Sequence, residues 1–303
     1  MFRIMLIHIL LFGMPYSTTI QFGNQLKNPI STTVSAIAPI RSQVLALFHM
    51  IFNNVKGEHQ LYFRTVQENT APIVYNSQPA RSASIIKLYI LAVLFEQSEQ
   101  GMIDLNSMYS LQSSDIVGGT GSIQNALIGT TYSLQQLAKE MIISSDNTAT
   151  NILIDRLGGV QFVNQQIHQM GFKRTQLRRK MLDFKALENG IDNETTVIDV
   201  GNLLTRLAQG ELVSKSASQA MLTILEQQHD HEKLFARMSE DVKVYNKTGT
   251  FAERGVLADA GIMAYRNHQY ILVVISNDGE MTQQQQAMQK LGYEIGQLII
   301  GDN

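Results

Sequence analysis

The stretch SIIKLYILAVLFEQSEQG, residues 84–101, decides the fold. Between Ile85 and Phe95 apolar residues fall on nearly every side of a helix, and a helix apolar all round sits at the centre of a molecule. Gly101 ends it, as a glycine just past a helix does. Outward from this helix, apolar residues recur at helical spacing over residues 133–143, 148–157, 160–170, 196–207 and 216–226, which predicts an all-helical unit around it. Strands flank that unit on both sides, at 59–66 and 71–75 before it and at 243–249, 257–265 and 270–277 after it. Helical patterns at 41–53 and 283–300 close the two ends. The expected fold is α+β: an α/β sandwich whose antiparallel sheet is built from both chain ends, residues 40–81 and 229–303, with an inserted all-α domain at 82–228.

With 303 residues the chain is long enough for one or two packed units. Apolar residues at 44% and charged residues at 17% are the balance of a folded globular chain rather than a disordered one. A net charge of -2, with no stripe of Lys and Arg interleaved with aromatics, gives no expectation of a nucleic-acid partner. The absence of cysteine excludes a disulfide, a thiol nucleophile and a cysteine-ligated metal. Arg3 precedes an apolar run at residues 5–14 that is too short to span a bilayer and reads as the core of a signal peptide. Residues 1–22 are therefore expected to direct export, and 23–39, rich in Thr, Ser and Pro, to be a linker. A secreted or cell-envelope protein follows, touching a membrane only through that signal.

Three short motifs occur in order: Ser84-Ile85-Ile86-Lys87, Ser145-Asp146-Asn147 and Lys247-Thr248-Gly249. Singly, they read as a helix N-cap, a turn leading to another cap, and a strand end. One fixed tripeptide arises by chance in about one chain in twenty of this length. The ordered set, each member at a junction between elements, carries far more weight. Flanking residues extend it: Val117-Gly118-Gly119-Thr120-Gly121, Asn147-Thr148-Ala149-Thr150-Asn151 and Asp259-Ala260-Gly261. On these motifs the chain resembles the class A β-lactamase family and the related penicillin-interacting transpeptidases, over roughly residues 44–300.

The resemblance implies a serine hydrolase that opens a β-lactam ring through an acyl-Ser84 intermediate, without cofactor or metal, as a monomer. Residue chemistry agrees with that reading. Ser84 and Lys87 lie one turn apart on one helix face, and a helix N-terminus offers backbone N–H groups to a developing oxyanion. Lys87 is a base only when neutral, and desolvation beside a second cation, Lys247, would lower its pKa. Ser145 is expected to pass a proton to the leaving nitrogen. Asn147 would hold the substrate amide and Lys87, while Lys247 and Thr248 would bind a substrate carboxylate. Gly249 would let the substrate backbone approach, and the Thr250 N–H would supply the second oxyanion donor. The expected catalytic residues are thus Ser84, Lys87, Ser145 and Lys247, and the substrate-binding residues Asn147, Thr248, Gly249 and Thr250.

The chain departs from the family in one place. Class A enzymes carry a Glu, followed four residues later by Asn, ahead of a Thr-Thr helix start, and that Glu activates the water that releases the acyl group. Here the pair is Thr195-Thr196, but residues 180–193, KMLDFKALENGIDN, contain no such spacing. Lys185 or nearby apolar residues fall where the Glu belongs, leaving Asp183 and Glu188 as candidate bases. Two rival readings follow: a D-alanyl-D-alanine carboxypeptidase or transpeptidase acting on peptidoglycan peptides, and a penicillin receptor without turnover. His229-Asp230-His231 with Glu232 has the form of a metal-binding pair, but no further ligands are spaced to join it, so it reads as a solvated loop.

Overall fold

The structure, a computed structural model, describes residues 34–301; the expected signal segment lies outside them. Helix α1 (Val34–Phe52) leads into strands β1 (Glu58–Thr65) and β2 (Ile73–Tyr75). Two-residue β3 (Ala80–Arg81) and a single 3-10 turn, Ala83–Ile86, then deliver the chain to α2 (Lys87–Glu99). Next come β4 (Met108–Ser110), β5 (Thr131–Ser133), α3 (Leu134–Ile143), α4 (Asn147–Arg156), α5 (Val160–Gln169) and α6 (Phe184–Glu188). After β6 (Glu194–Thr195), α7 (Val197–Ala208) and α8 (Lys215–Leu225), the chain returns as β7 (Lys243–Phe251), β8 (Val256–Tyr265), β9 (His268–Asn277) and α9 (Met281–Gly301).

The main sheet is antiparallel throughout, in the order β2-β1-β9-β8-β7, so strands from both chain ends pair at β1 and β9. Successive side chains alternate across it. Leu61, Phe63, Leu272 and Val274 join Val44, Phe48, Met288 and Leu291 in a core with α1 and α9. Tyr62, Ile271, Val273 and Ile275 face the other way into the core of the helical unit. Because both faces are covered, β9 reads as an unbroken apolar run, Ile271 to Ile275, every residue fully buried.

At the centre of the helical unit α2 buries all of Lys87 to Phe95. Burying each Leu, Ile or Val there stabilises the fold by about 1.5–3 kcal/mol. Gly101, at φ 70°, turns the chain away, its N–H bonded to the Ser98 carbonyl.

Two expectations change. α1 begins at Val34, so residues 34–39, read as linker, are helical. The inserted segment is not all helix: β4 pairs with β5 within it, and its β6 pairs with β3 just ahead of it. Ribbons of two or three residues are too short to show a period in the sequence. The helical unit packs directly on the sheet: α7 lies on β1, β8 and β9, and one continuous core runs from Ile271, Val273 and Ile275 on β9 through α2 to α8.

Candidate active site

The cleft lies where the helical unit meets β7, the edge strand of the sheet, and has a volume of about 630 Å³. That size suits a small-molecule substrate. Ser84, Ser145, Asn147, Thr248 and Thr250 all line it, so the three motifs converge across separations of more than fifty residues.

Ser84 stands in the tight 3-10 turn rather than at the first turn of a regular α-helix. The turn is entered through Ala83 at φ 41°. Gly249 on β7 presses against it: a Cβ there would meet the Ala83 Cβ and the Ser84 nitrogen at 3.2 Å each. A side chain at 249 would crowd the nucleophile's turn, which would have to give by a few tenths of an ångström, so this glycine has a packing role at the site.

Lys87 and Lys247 are both fully buried and converge on one hydroxyl. Lys87 Nζ lies 3.1 Å from Ser145 Oγ, 2.7 Å from the Ser145 carbonyl and 3.0 Å from Asn147 Oδ1. Lys247 Nζ lies 3.1 Å from the same Ser145 Oγ and 2.8 Å from the Thr248 carbonyl. Burial, then the neighbouring Lys247 cation, push the Lys87 pKa well below that of a free lysine against the opposing pull of Asp146. Burial pushes Lys247 down to about 7. Two lysines that cannot comfortably share charge in one dry pocket leave a lone pair beside Ser145 near neutral pH.

The second motif is held from behind. Asp146 caps α4 by accepting from Ala149 N at 2.8 Å and also accepts from Ile123 N at 2.9 Å. Ser145 is thereby fixed at φ 54°. Thr120 Oγ1 donates to the Ser145 carbonyl at 2.6 Å, and Gly119 leaves room for Asn147, whose Nδ2 a Cβ at 119 would meet at 2.6 Å.

The cleft's other wall comes from the segment at 180–193. Met181, Leu182, Phe184 and Leu187 line it with Glu188, the one carboxylate of that segment among the lining residues. Asp183 is exposed and caps α6, accepting from Ala186 N at 3.0 Å. Glu188 is exposed too. The backbone of Met181, not of Lys185, is gripped by the second motif's helix: Asn151 Oδ1 accepts its N–H at 2.8 Å and Asn151 Nδ2 donates to its carbonyl at 3.1 Å.

His229, His231 and Glu232 are exposed, as expected of a solvated loop, whereas Asp230 is half-buried. Asp230 lines the cleft and pairs with Lys233. Among the described residues no group of three or more His, Cys, Asp or Glu is placed to hold a metal ion. Asp230 and the apolar wall were missed from sequence because each depends on a packing partner far along the chain; the carboxylate within a short polar turn was the only local sign of Asp230.

A serine in a strained turn, sharing a cleft and an open sheet edge with a second serine held between two buried lysines, defines a serine acyl-transfer site built between an antiparallel sheet and a helical unit. The family model for the beta-lactamase enzyme family matches residues 40–299, and the chain belongs to that family. A beta-lactamase of Proteus vulgaris is 28% identical over 225 residues, 72% of each chain. Beta-lactamase ROB-1 of Haemophilus influenzae is 24% identical over 83% of this chain and 84% of its own. The fold is shared with PBP-A, at a TM-score of 0.77 and 24% identity, over 88% of this chain and 97% of that one. A leucine-to-glutamate mutant of PBP-A has been solved as an acyl-enzyme complex with penicillin G, at the same TM-score of 0.77.

Proposed function

We propose that the protein is a serine hydrolase of the class A β-lactamase type that opens a β-lactam ring through an acyl-Ser84 intermediate. The observation that carries this reading is the Ser145 hydroxyl lying 3.1 Å from the Nζ atoms of both buried lysines. In the proposed reaction Ser84 Oγ adds to the lactam carbonyl carbon while its proton passes to neutral Lys87. The carbonyl oxygen, now negative, is received by the Ser84 and Thr250 backbone N–H groups, each worth about 3–4 kcal/mol in the transition state. The C–N bond then breaks as Ser145 gives its proton to the nitrogen and Lys87 returns one to Ser145. The product is a Ser84 ester and a ring nitrogen bearing hydrogen. Lys247 and Thr248 face the substrate carboxylate, and Asn147 its side-chain amide.

Acylation thus has every group it needs, whereas release needs a base aimed at a water. The segment at 180–193 offers the cleft mostly apolar side chains, with exposed Glu188 as its lone carboxylate. That lining also favours a second reading, a D-alanyl-D-alanine carboxypeptidase or transpeptidase whose acyl group goes to another acceptor. Export through residues 1–22 belongs to the proposal in both forms. Mixing with benzylpenicillin and following intact mass is expected to show about one acyl group per chain in a burst, then slow turnover. Absence of any adduct would sink the acyl-enzyme reading, and an adduct that never turns over would make the protein a receptor.

A further inference from the structure

We propose that the stretch from Asn193 to Thr195 is a positioning clamp: it holds the segment carrying Ser84 and Lys87 at both ends, so residues that close the far wall of the cleft also set the geometry of acylation. The inference rests on the acyl-transfer reading of the cleft. Asn193, Thr195 and Tyr89 act in it through Ser84 and Lys87.

Ahead of the nucleophile the clamp is Asn193. Its carbonyl accepts from the Ser82 N–H at 3.0 Å and from Ser82 Oγ at 3.2 Å. This bond extends by one step the ladder in which Ala80 pairs with Thr195 and Arg81 with Glu194. Ser82 is fully buried and leads straight into Ala83, whose left-handed backbone opens the turn that carries Ser84. The Asn193 side chain serves the wall instead. Its Oδ1 accepts from the N–H groups of Arg178 at 2.8 Å and Arg179 at 3.0 Å, and its Nδ2 donates to the Arg179 carbonyl at 3.1 Å. Asn193, 2% exposed, thus ties the base of the wall segment to the entry of the nucleophile's turn.

Beyond Lys87 the clamp is Thr195. Tyr89, two residues further along α2, meets Thr195 Oγ1 at 2.9 Å, and Thr195 meets Thr175 Oγ1 at 2.9 Å. Thr175 donates to Asp199 Oδ2 at 2.9 Å. Because Thr175 gives its single proton to Asp199, it accepts from Thr195, which in turn accepts from Tyr89. All four residues are buried, so a missing member leaves its neighbour without a partner in a dry site. Proton transfer from Ser84 to Lys87 needs the two side chains in register, and the clamp sets that register from both sides. A role confined to the wall would alter release of the acyl group and leave its formation unchanged.

The test follows labelling of the full chain by saturating benzylpenicillin in wild type, Asn193→Ala, Asn193→Asp and Tyr89→Phe. A first-order rate constant does not depend on how much of the protein is folded, so lost stability lowers the amplitude and not the rate. Asn193→Ala is expected to slow labelling by about 10²-fold, the usual cost of a misplacement of about 1 Å, with the half-saturating concentration little changed. Asn193→Asp keeps an oxygen for both N–H groups and should recover part of the rate. Tyr89→Phe removes one hydrogen bond and should slow labelling by about three- to tenfold. It keeps the ring packed on Phe172, so it decides the matter alone should Asn193→Ala fail to fold. Rate constants equal to wild type in both Asn193→Ala and Tyr89→Phe overturn the clamp and leave the acyl-transfer reading standing. Absence of labelling in wild type overturns that reading, and the clamp with it.

Discussion

A left-handed backbone costs a residue with a Cβ about 1–3 kcal/mol. Of the seven such residues among those described, Ala83, Ser145 and Leu182 line the cleft. Strain is thus concentrated beside the nucleophile, the proton donor and the apolar wall, where it aims side chains that relaxed turns would point elsewhere. Ser84→Ala leaves those constraints in place and removes one oxygen, so it is expected to fold normally by circular dichroism and to lose all labelling by a fluorescent penicillin. Labelling that survives would show that another group is acylated. The buried lysines also make stability depend on pH. Lys247 titrates at about 7 when folded and at about 10.4 when unfolded. In that window the unfolded chain holds the extra proton. Its contribution to stability is therefore complete above about pH 10, shrinks as pH falls, and is gone below 7, with a slope of up to about 1.4 kcal/mol per pH unit. Lys87 acts in the same sense. Asp259, raised to about 7 by burial, acts oppositely at lower pH, its stabilisation being lost as pH rises from about 4 through 7. Urea midpoints should rise from pH 7 to 9, and Lys247→Met should flatten that rise. A midpoint that falls over this range would contradict the lysine assignment.

The segment from Met181 to Asn193 is the element that decides what happens after acylation. Asn151 grips the Met181 backbone through both its amide atoms, and Met181, 8% exposed, faces the cleft. A carboxylate introduced there would be held rigidly in the same space as Ser84 and Asn147. Met181→Glu is therefore expected to speed loss of the acyl group by about 10²-fold, the usual effect of a positioned general base, with the burst unchanged. Glu188→Gln is the control for the natural carboxylate: slowed release would make Glu188 the existing base, and equal release in both variants would remove this segment from the reaction. The motif positions and the central helix were legible in the sequence because fixed chemistry and an all-round apolar pattern leave local marks. Ser145 and Lys247 could be named from their motifs, but not the shared hydroxyl that joins them. Met181 was hidden because its neighbour Asn151 lies 30 residues away, and a methionine in a loop has no pattern of its own. The ribbons β3–β6 and β4–β5 were hidden for the same reason, each being too brief for alternation to show.

At the scale of the whole molecule, two cores share one sheet, and each strand serves both by turning alternate side chains to opposite sides. The proposed export signal precedes all of this, ahead of α1, and N-terminal sequencing of protein recovered from the medium or envelope should begin roughly twenty residues in. An intact Met1 on protein from the cytosol would overturn export. The order of the strands has its own consequence for how the molecule comes into being. β1 has β2 on one side, but its other neighbour is β9, and the His59 ring bonds to Ser276, 217 residues later. At typical synthesis speeds of about 5–20 residues per second, the first long strand waits on the order of ten to forty seconds for that partner to be made. Until then β1 has only β2 to pair with, so the central layer cannot close before β9 is made, and contacts of such long range make closure slow once it begins.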